Sequence, residues 1–335
     1  MKLFGNSRGA ARTGKASRAD KEAKSGIGKG KKILLIILSV LFVIIAALCV
    51  FVAVYVQPPE PVQTVVTEQT EQQGQESTVD TNDGMKKGYY NILLAGTDND
   101  GLRTDTMMIA RLDTENHTVA LMSVPRDTMI ELSDGKVMKL NSVFGANGCG
   151  HEGMQALMLE LEKILGFMPS GYALVNLDVF IELVDAIGGV YFDVPQKMYH
   201  NDPTQDLLID LQPGYQLLDG DKAMQLVRFR GYAQADIQRT HVQQDFIITV
   251  VKQCVSVSNW NKISDYIDIF ARNVTSNFTV GNMLYFAQQL MQCNLDDMTS
   301  YTLPGRDVWL DAAYYDLIEE EVAAIVEKDF SPYLD

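Results

Sequence analysis

Residues Ile33 to Val56, "ILLIILSVLFVIIAALCVFVAVYV", run for twenty-four positions without one charged side chain. As a helix the stretch is about 36 Å long, against a hydrocarbon core of roughly 30 Å. A segment this long and uniformly apolar satisfies its backbone in lipid only as a helix, so its length predicts one transmembrane span over 33–56. A cleaved signal peptide would carry a shorter apolar region and a small-x-small cleavage site, whereas Gln57-Pro58-Pro59 follows here. Lys29, Lys31 and Lys32 abut the span on one side only. The positive-inside rule therefore makes residues 1–32 a basic cytoplasmic tail and exports the rest, the topology of a single-pass type II protein of the cell membrane with an extracytoplasmic domain.

That division explains the charge. The formal net charge of -15 conceals a first segment, 1–32, with ten Lys or Arg against Asp20 and Glu22. The remaining residues hold 18 of the 28 basic and 41 of the 43 acidic side chains, a balance of -23. A domain this acidic repels nucleic acid, so no nucleic-acid partner is expected, and the basic tail suits topology and anionic membrane lipids instead. From Gln57 to Gly88 the composition turns to Pro, Gln, Glu, Thr and Gly, predicting a disordered linker over 57–88. Periodic apolar segments then fill 89–335, consistent with one large domain. Outside the span, Cys149, Cys254 and Cys293 are odd in number and fit no zinc spacing; a Cys254 to Cys293 disulfide and plain buried thiols both remain open.

Within 89–335, "YYNILLAGT" (89–97), "DTMMIARLD" (105–113) and "HTVALMSVP" (117–125) read as strands, short and aliphatic between turn formers. "GHEGMQALMLELEKILG" (150–166) has helical spacing and ends on glycine; "SGYALVNL" (170–177) is a strand; "DVFIELVDAIGG" (178–189) is a helix capped by Asp178; "VYFDV" (190–194) is a strand. Further helices are expected in "DGDKAMQLVRF" (219–229), "RTHVQQDFIITVVKQCVSVS" (239–258), "GNMLYFAQQLMQC" (281–293) and "YYDLIEEEVAAIVEKD" (314–329), with a late strand in "MTSYTLPG" (298–305). Such alternation predicts an α/β fold, an α-β-α sandwich around a mixed central sheet, preceded by the transmembrane helix.

Eight arginines lie beyond the span: Arg103, Arg111, Arg126, Arg228, Arg230, Arg239, Arg272 and Arg306. Five of them fall in three motifs, "NDGLRTDT", "SVPRDT" and "LVRFRGYAQADIQRTHVQQDF". A solvated acidic surface has no need of this clustering. Arginine is preferred where a planar donor fork must grip an oxyanion such as phosphate; pairing of each with a nearby carboxylate, Arg103 with Asp105 or Arg126 with Asp127, is the plainer reading. Asp98 closes the first strand and Asp105 opens the second, so the loop between them brings both carboxylates to one sheet edge, where α/β folds place ligands. Two carboxylates beside guanidiniums suit a hard cation, Mg2+ or Mn2+, bridging to phosphate oxygens, and loop-capping Asp is the bland reading of the same spacing. On a helix, Asp236, Arg239 and Gln243 share one face, with Val242, Phe246 and Val250 on an adjoining apolar stripe. The four histidines make no metal-ligand pair, and no Gly-x-Ser-x-Gly elbow, P-loop or dinucleotide fingerprint is present.

In order along the chain, the strand ending at Asp98, "RTDTMM", "LMSVPRDT", "KLN" (139–141), "DAIGGVYFDV", "LDGDKAMQLVRFR" and "ADIQRTHVQQ" resemble the LytR-CpsA-Psr family of membrane-anchored extracytoplasmic proteins of Gram-positive bacteria. The resemblance runs from about Asn91 to Cys254. It implies a phosphotransferase that moves a glycopolymer, of teichoic acid or capsular polysaccharide type, from an undecaprenyl pyrophosphate carrier onto a peptidoglycan acceptor through a phosphodiester, with divalent cation dependence. Carried over, Asp98 and Asp105 match the family's metal and pyrophosphate carboxylates. Arg103, Arg126, Arg228, Arg230 and Arg239 match its phosphate-gripping arginines and Gln243 its glutamine, with Asp127, Asp236, Lys139 and Asn141 in supporting positions. Arg126, Asp105, Asp98 and Arg239 are the catalytic candidates, and Asp105 and Asp98 both remain open as the base. Many members read Asp-Phe-Gly-Arg and Arg-Gln-Gln where this chain has Asp236-Ile237-Gln238-Arg239 and Val242-Gln243-Gln244. The resemblance also implies a prenyl chain buried between sheet and helices; "VFIELVDAIGGVYFDV" and "FIITVVKQCV" are candidate linings, although segments of this kind are more often ordinary core. A non-catalytic polyprenyl-phosphate binder that regulates or scaffolds envelope synthesis, and a metal-dependent pyrophosphatase, remain open on the same residues. Loops 131–150 and 197–213 are expected to set the sugar contacts.

Overall fold

Alternating burial along residues 89–97 builds the first strand: Leu93 and Ala95 turn to one side of the sheet and are almost fully buried, while Leu94 turns to the other. The computed structural model describes residues 55–60, 85–97, 100–132, 135–203, 207–232, 235–254, 256 and 262–334. In chain order its strands are β1 (Tyr89–Thr97), β2 (Thr104–Asp113), β3 (Thr118–Ser123), β4 (Met129–Glu131), β5 (Val137–Lys139), β6 (Gly171–Val175), β7 (Val190–Val194), β8 (Met198–Asp202), β9 (Leu207–Leu211), β10 (Gly214–Leu218), β11 (Thr275–Ser276), β12 (Thr299–Thr302), β13 (Gly305–Trp309) and β14 (Ala313–Leu317). The longer helices are α1 (Gly150–Leu165), α2 (Leu177–Ala186), α3 (Gly220–Arg228), α4 (Ala235–Cys254), α5 (Ile263–Asn273), α6 (Val280–Leu290) and α7 (Glu319–Ile325).

The central sheet runs β11-β6-β1-β2-β3-β12, with β1 parallel to β6, β3 parallel to β12 and the other neighbours antiparallel. It is the mixed sheet that the sequence predicts. Against one face α1 packs Met154, Leu157, Leu161 and Leu165 onto Leu93, Met107, Ile109 and Met122, closed by Phe330 from the C-terminal segment. The opposite face carries a second cluster, built by α2, α3, α4 and the hairpin strands β7 to β10 around Val184, Leu226 and Phe246. That cluster meets the sheet through Ala173, Val179 and Val274 near the β6 edge. On the other side, the buried Gln244 of α4 donates to Ser123 Oγ at 2.8 Å and to the Tyr301 carbonyl at 2.6 Å. Helix and sheet are thus tied along two lines with space between them.

Several expectations change. Asn176 caps α2, its side chain accepting from Val179 N at 2.9 Å; Asp178 lies inside the first turn, where its charge favours the helix N-terminus. The helix expected over 314–329 is instead β14 followed by α7, because β14 pairs with β13 from Gly305↔Leu317 to Trp309↔Ala313, and Tyr315 N donates to Asp127 O at 2.8 Å. The helix expected at 239–258 spans Ala235–Cys254. Loop 197–213 contains the β8–β9 hairpin. Residues 61–84 of the expected linker lie outside the described residues, and its described ends pair with the domain: Lys86 N donates to Pro332 O at 2.7 Å, Met85 bridges Tyr333, and Gln57 O accepts from Asn282 Nδ2 at 2.9 Å. Backbone pairing of this kind needs no bulky apolar side chain, so composition does not reveal it. The tail 1–32 and residues 33–54 of the expected span lie outside the described residues, among which no helix is long and apolar enough to cross a membrane.

Candidate active site

A bulge at the start of β2 creates the first functional feature. Thr97 pairs with Thr104 and Gly96 with Thr106, which leaves Asp105 as the extra residue. Bulges re-aim side chains, and this one frees the Asp105 carboxylate from the ladder at the sheet end. The next piece is the turn after β3. Thr128 N and Oγ1 both reach the Pro125 carbonyl, at 3.0 and 2.6 Å, while Asn141 N donates to Arg126 O at 3.1 Å. So fixed, Arg126 places Nη1 3.2 Å from Asp105 Oδ1 and Nε 3.5 Å from Asp127 Oδ2. Lys139 Nζ lies 2.8 Å from Asp127 Oδ1, so Asp127 is shared between two cations behind the site. Asn141 is buried, as a residue that holds the Arg126 turn must be.

The remaining arginines come from the far layer. Arg228 ends α3, and Arg230 follows in extended chain with Nη2 3.4 Å from Asp105 Oδ2. One carboxylate therefore sits between two guanidiniums brought from opposite layers. Arg239 and Gln243 project from successive turns of α4; Arg239 is buried, and Gln243 Nε2 donates to Val227 O at 2.8 Å, locking α4 to the end of α3. Arg103 comes from the β1–β2 loop. That loop rests on the one-turn helix Val143–Ala146, where a Cβ on Gly145 would stand 2.3 Å from the Leu102 carbonyl, so only glycine permits the approach. Burial and the neighbouring Arg230 charge hold the Arg228 guanidinium below its ordinary range, with Asp202 opposing. Cations pressed together at partial burial gain most from a multivalent anion.

Arg103, Asp105, Arg126, Arg228, Arg230, Arg239 and Gln243 all line one cavity of about 940 Å³ between the sheet and the second helical layer. Beyond this polar mouth the walls are apolar: Leu94, Met108, Ala173 and Val175 from the sheet, Phe180, Leu183 and Val184 from α2, Ile247, Val250 and Val251 from α4, and Phe270 from α5. Both segments considered as slot linings contribute. The plainer reading, in which each arginine is satisfied locally, holds in part for Arg126 with Asp127, but all five arginines still reach one cavity. Asp98 lies outside the described residues, as does the Asp236 side chain, although Asp236 belongs to α4. Among the described residues no group of three or more His, Cys, Asp or Glu gathers to hold a metal. Val242, where the family resemblance leads one to expect arginine, is buried in the second apolar cluster and does not line the cavity. The three cysteines are free, and burial pushes the Cys254 thiol up to about 11.

Sequence reasoning missed a second, smaller cavity of about 190 Å³ that shares Asp105, Arg126 and Arg239 and adds Asp127, Thr240, Thr302, Asp307 and Tyr315. Asp307 and Tyr315 belong to the β13–β14 hairpin. The alternation of "GRDVW" and "AYYDL" around "LDA" was the available signal for it.

Sheet, apolar cleft and guanidinium mouth together define a mixed α/β protein with one cavity that is cationic at its mouth and apolar in its depth. The chain belongs to the LytR_cpsA_psr family, whose model matches residues 60–330. It is 28% identical over 239 residues to an uncharacterized protein of Staphylococcus aureus, covering 71% of this chain and 55% of that one. It is 24% identical over 236 residues to the polyisoprenyl-teichoic acid--peptidoglycan teichoic acid transferase TagV of Bacillus subtilis, covering 68% of this chain and 59% of that protein. The chain thus spans less than two thirds of the length of these two relatives. The crystal structure of B. subtilis TagV shares the fold with a TM-score of 0.63 at 23% identity, over 75% of this chain and 100% of the crystallised one.

Proposed function

We propose that this protein transfers a glycopolymer, with its phosphate, from a polyprenyl pyrophosphate carrier of the undecaprenyl type to peptidoglycan on the outer face of the membrane, anchored as a single-pass type II protein. The observation that carries this is the meeting of five arginines and Asp105 at the mouth of an apolar-walled cavity of about 940 Å³. A diphosphate fits the mouth and a prenyl chain the slot. The name borne by the TagV relative, a polyisoprenyl-teichoic acid transferase, supports the same substrate class.

Phosphoryl transfer asks the protein mainly for positioning and charge neutralisation. Arg126 and Arg230, oriented by Asp105 at 3.2 and 3.4 Å, present forked donors to the phosphate oxygens, and the buried Arg239 adds a third. An acceptor hydroxyl attacks the phosphorus that bears the glycopolymer, the bond to the bridging oxygen breaks, and polyprenyl phosphate leaves. Mg2+ or Mn2+ fits the donor set: Asp105 is a hard carboxylate with lone pairs beyond the two guanidinium bonds, and such ions are held by one or two carboxylates plus substrate phosphates rather than by a protein cage. When bound, the ion would neutralise phosphate charge beside Asp105, with Asp98 as the second expected carboxylate.

The test combines the full chain in detergent or bilayer, Mg2+, a lipid-pyrophosphate-linked glycan and peptidoglycan. Covalent attachment that Arg126→Ala and Asp105→Ala both abolish is the expected result; attachment unchanged in either variant would refute the site. Binding of the lipid without turnover on any acceptor would instead identify a regulator.

A further inference from the structure

The two cavities flank β2. The large one opens toward β1 and β6 and holds the apolar slot; the small one opens toward β3, β12 and the β13–β14 hairpin. Asp105, Arg126, Arg239 and Gln243 form the partition and line both. In phosphoryl transfer the attacking and leaving oxygens stand roughly in line across phosphorus. A diphosphate whose lipid side points into the slot must therefore be attacked from the small-cavity side. At about 190 Å³, against roughly 30 Å³ for each water in bulk, the space accepts part of one sugar ring and is too small for a long prenyl chain. Its chemistry is that of a hydroxyl site. Thr302 Oγ1 is buried there without a hydrogen-bond partner among the described residues, and the exposed Asp307 carboxylate forms no ion pair among them, unlike Asp127, which two cations share. Tyr315, opposite Asp307 in the hairpin, lines the same cavity and has its hydroxyl engaged with Leu303 O at 3.3 Å.

Building on the transferase reading above, we propose that the small cavity is the acceptor subsite, which receives a glycan hydroxyl, and that Asp307 is the residue that accepts its hydrogen bond and then its proton. The acceptor oxygen bonds to the glycopolymer's phosphorus, the bond from that phosphorus to the bridging oxygen breaks, the electron pair leaves with the lipid phosphate, and the hydroxyl proton passes to the Asp307 carboxylate.

Two variants of the full chain test this, Asp307→Asn and Thr302→Leu, the second filling the cavity without touching charge. Each is checked for an unchanged thermal transition. Titration with a polyprenyl pyrophosphate disaccharide measures donor binding, and peptidoglycan oligomers serve as acceptor. Donor dissociation constants matching the parent protein are expected for both variants. Transfer falls on the order of 10²- to 10⁴-fold for Asp307→Asn, the usual loss for a missing general base. Thr302→Leu raises the acceptor KM on the order of tenfold while the donor KM stays put. Variants that transfer as well as the parent, or that lose donor binding in step with transfer, overturn the subsite and leave the transferase reading standing. A parent protein that binds donor and never transfers to peptidoglycan defeats both.

Discussion

Asp105 and Arg126, 21 residues apart in the chain, meet at 3.2 Å because a bulge in β2 and a Pro125-anchored turn after β3 aim them at one another. The contact holds the guanidinium fork open toward the large cavity. Arg126→Lys keeps the charge and loses the fork: Asp105 and Asp127 meet different guanidinium nitrogens, whereas an ammonium offers all its donors from one atom. Transfer should fall about 10²- to 10³-fold, the usual loss of one oriented transition-state donor, in a steady-state assay with the lipid-linked glycan. Asp105→Asn should do the reverse for ground-state binding. With one negative charge gone from beside the phosphates, affinity for polyprenyl pyrophosphate in metal-free buffer should rise while Mg2+-stimulated turnover disappears; weaker metal-free binding would count against the arrangement.

Gln244 is 1% exposed and makes two bonds across the sandwich, to Ser123 Oγ and to the Tyr301 carbonyl. Gln244→Leu removes the donor from the buried Ser123 hydroxyl and the half-buried Tyr301 carbonyl, a loss of about 2 kcal/mol. For a domain of this size that lowers the thermal midpoint by about 4–8 °C. Calorimetry of the full chain checks it, and an unchanged midpoint would show that α4 is held by its apolar stripe alone.

Local pattern carried the core strands and most of the helices, because period-two and helical burial are written in apolar spacing: β1 spans 89–97 as read, and Val242 and Phe246 form the buried stripe on α4. The arginine set was legible for a different reason. Five of the eight arginines beyond the apolar span clustered in three motifs, and all five line one cavity, whereas the unclustered Arg111 is spent on structure, bonding the Asp329 carbonyl at 3.0 Å beneath Tyr89. What spacing did not show was long-range pairing. "YYDL" looks helical until β13 is available to pair with it, and Asp307 joins the site only through that hairpin. The apolar slot was likewise ambiguous, since Leu183 and Val251 read the same whether they meet a side chain or an empty channel.

Alkaline stability should report the C-terminal clasp. Burial, with Arg111 opposing, pushes the Tyr89 hydroxyl up to about 12; its phenol donates to the Asp329 carbonyl at 2.6 Å. A tyrosine ordinarily titrates near 10, so between about pH 10 and 12 the unfolded chain holds fewer protons at this site than the folded one. Stability contributed by the neutral phenol is present in full below about pH 10 and is lost as pH rises through the folded value. Tyr89→Phe should therefore be less stable at pH 8 yet lose stability less steeply from pH 10 to 12. Urea titrations across that range measure both, and parallel slopes for the two proteins would rule the coupling out.

Ile247 faces the large cavity from α4 and belongs to neither buried cluster, so enlarging it obstructs the channel rather than the core. Ile247→Trp should displace the length of about four methylenes of bound prenyl chain. At about 0.8 kcal/mol for each, the loss is about 3 kcal/mol, or about 100-fold in affinity for a full-length carrier. The guanidinium mouth is untouched, so a short-chain analogue, whose tail ends before the obstruction, should bind the variant as it binds the parent protein. The ratio of long- to short-chain affinity is therefore the measurement that matters, because a misfolded variant would lose both together. Equal losses for the two chain lengths would mean that the lipid lies elsewhere and that the cavity between sheet and helices serves only the headgroup.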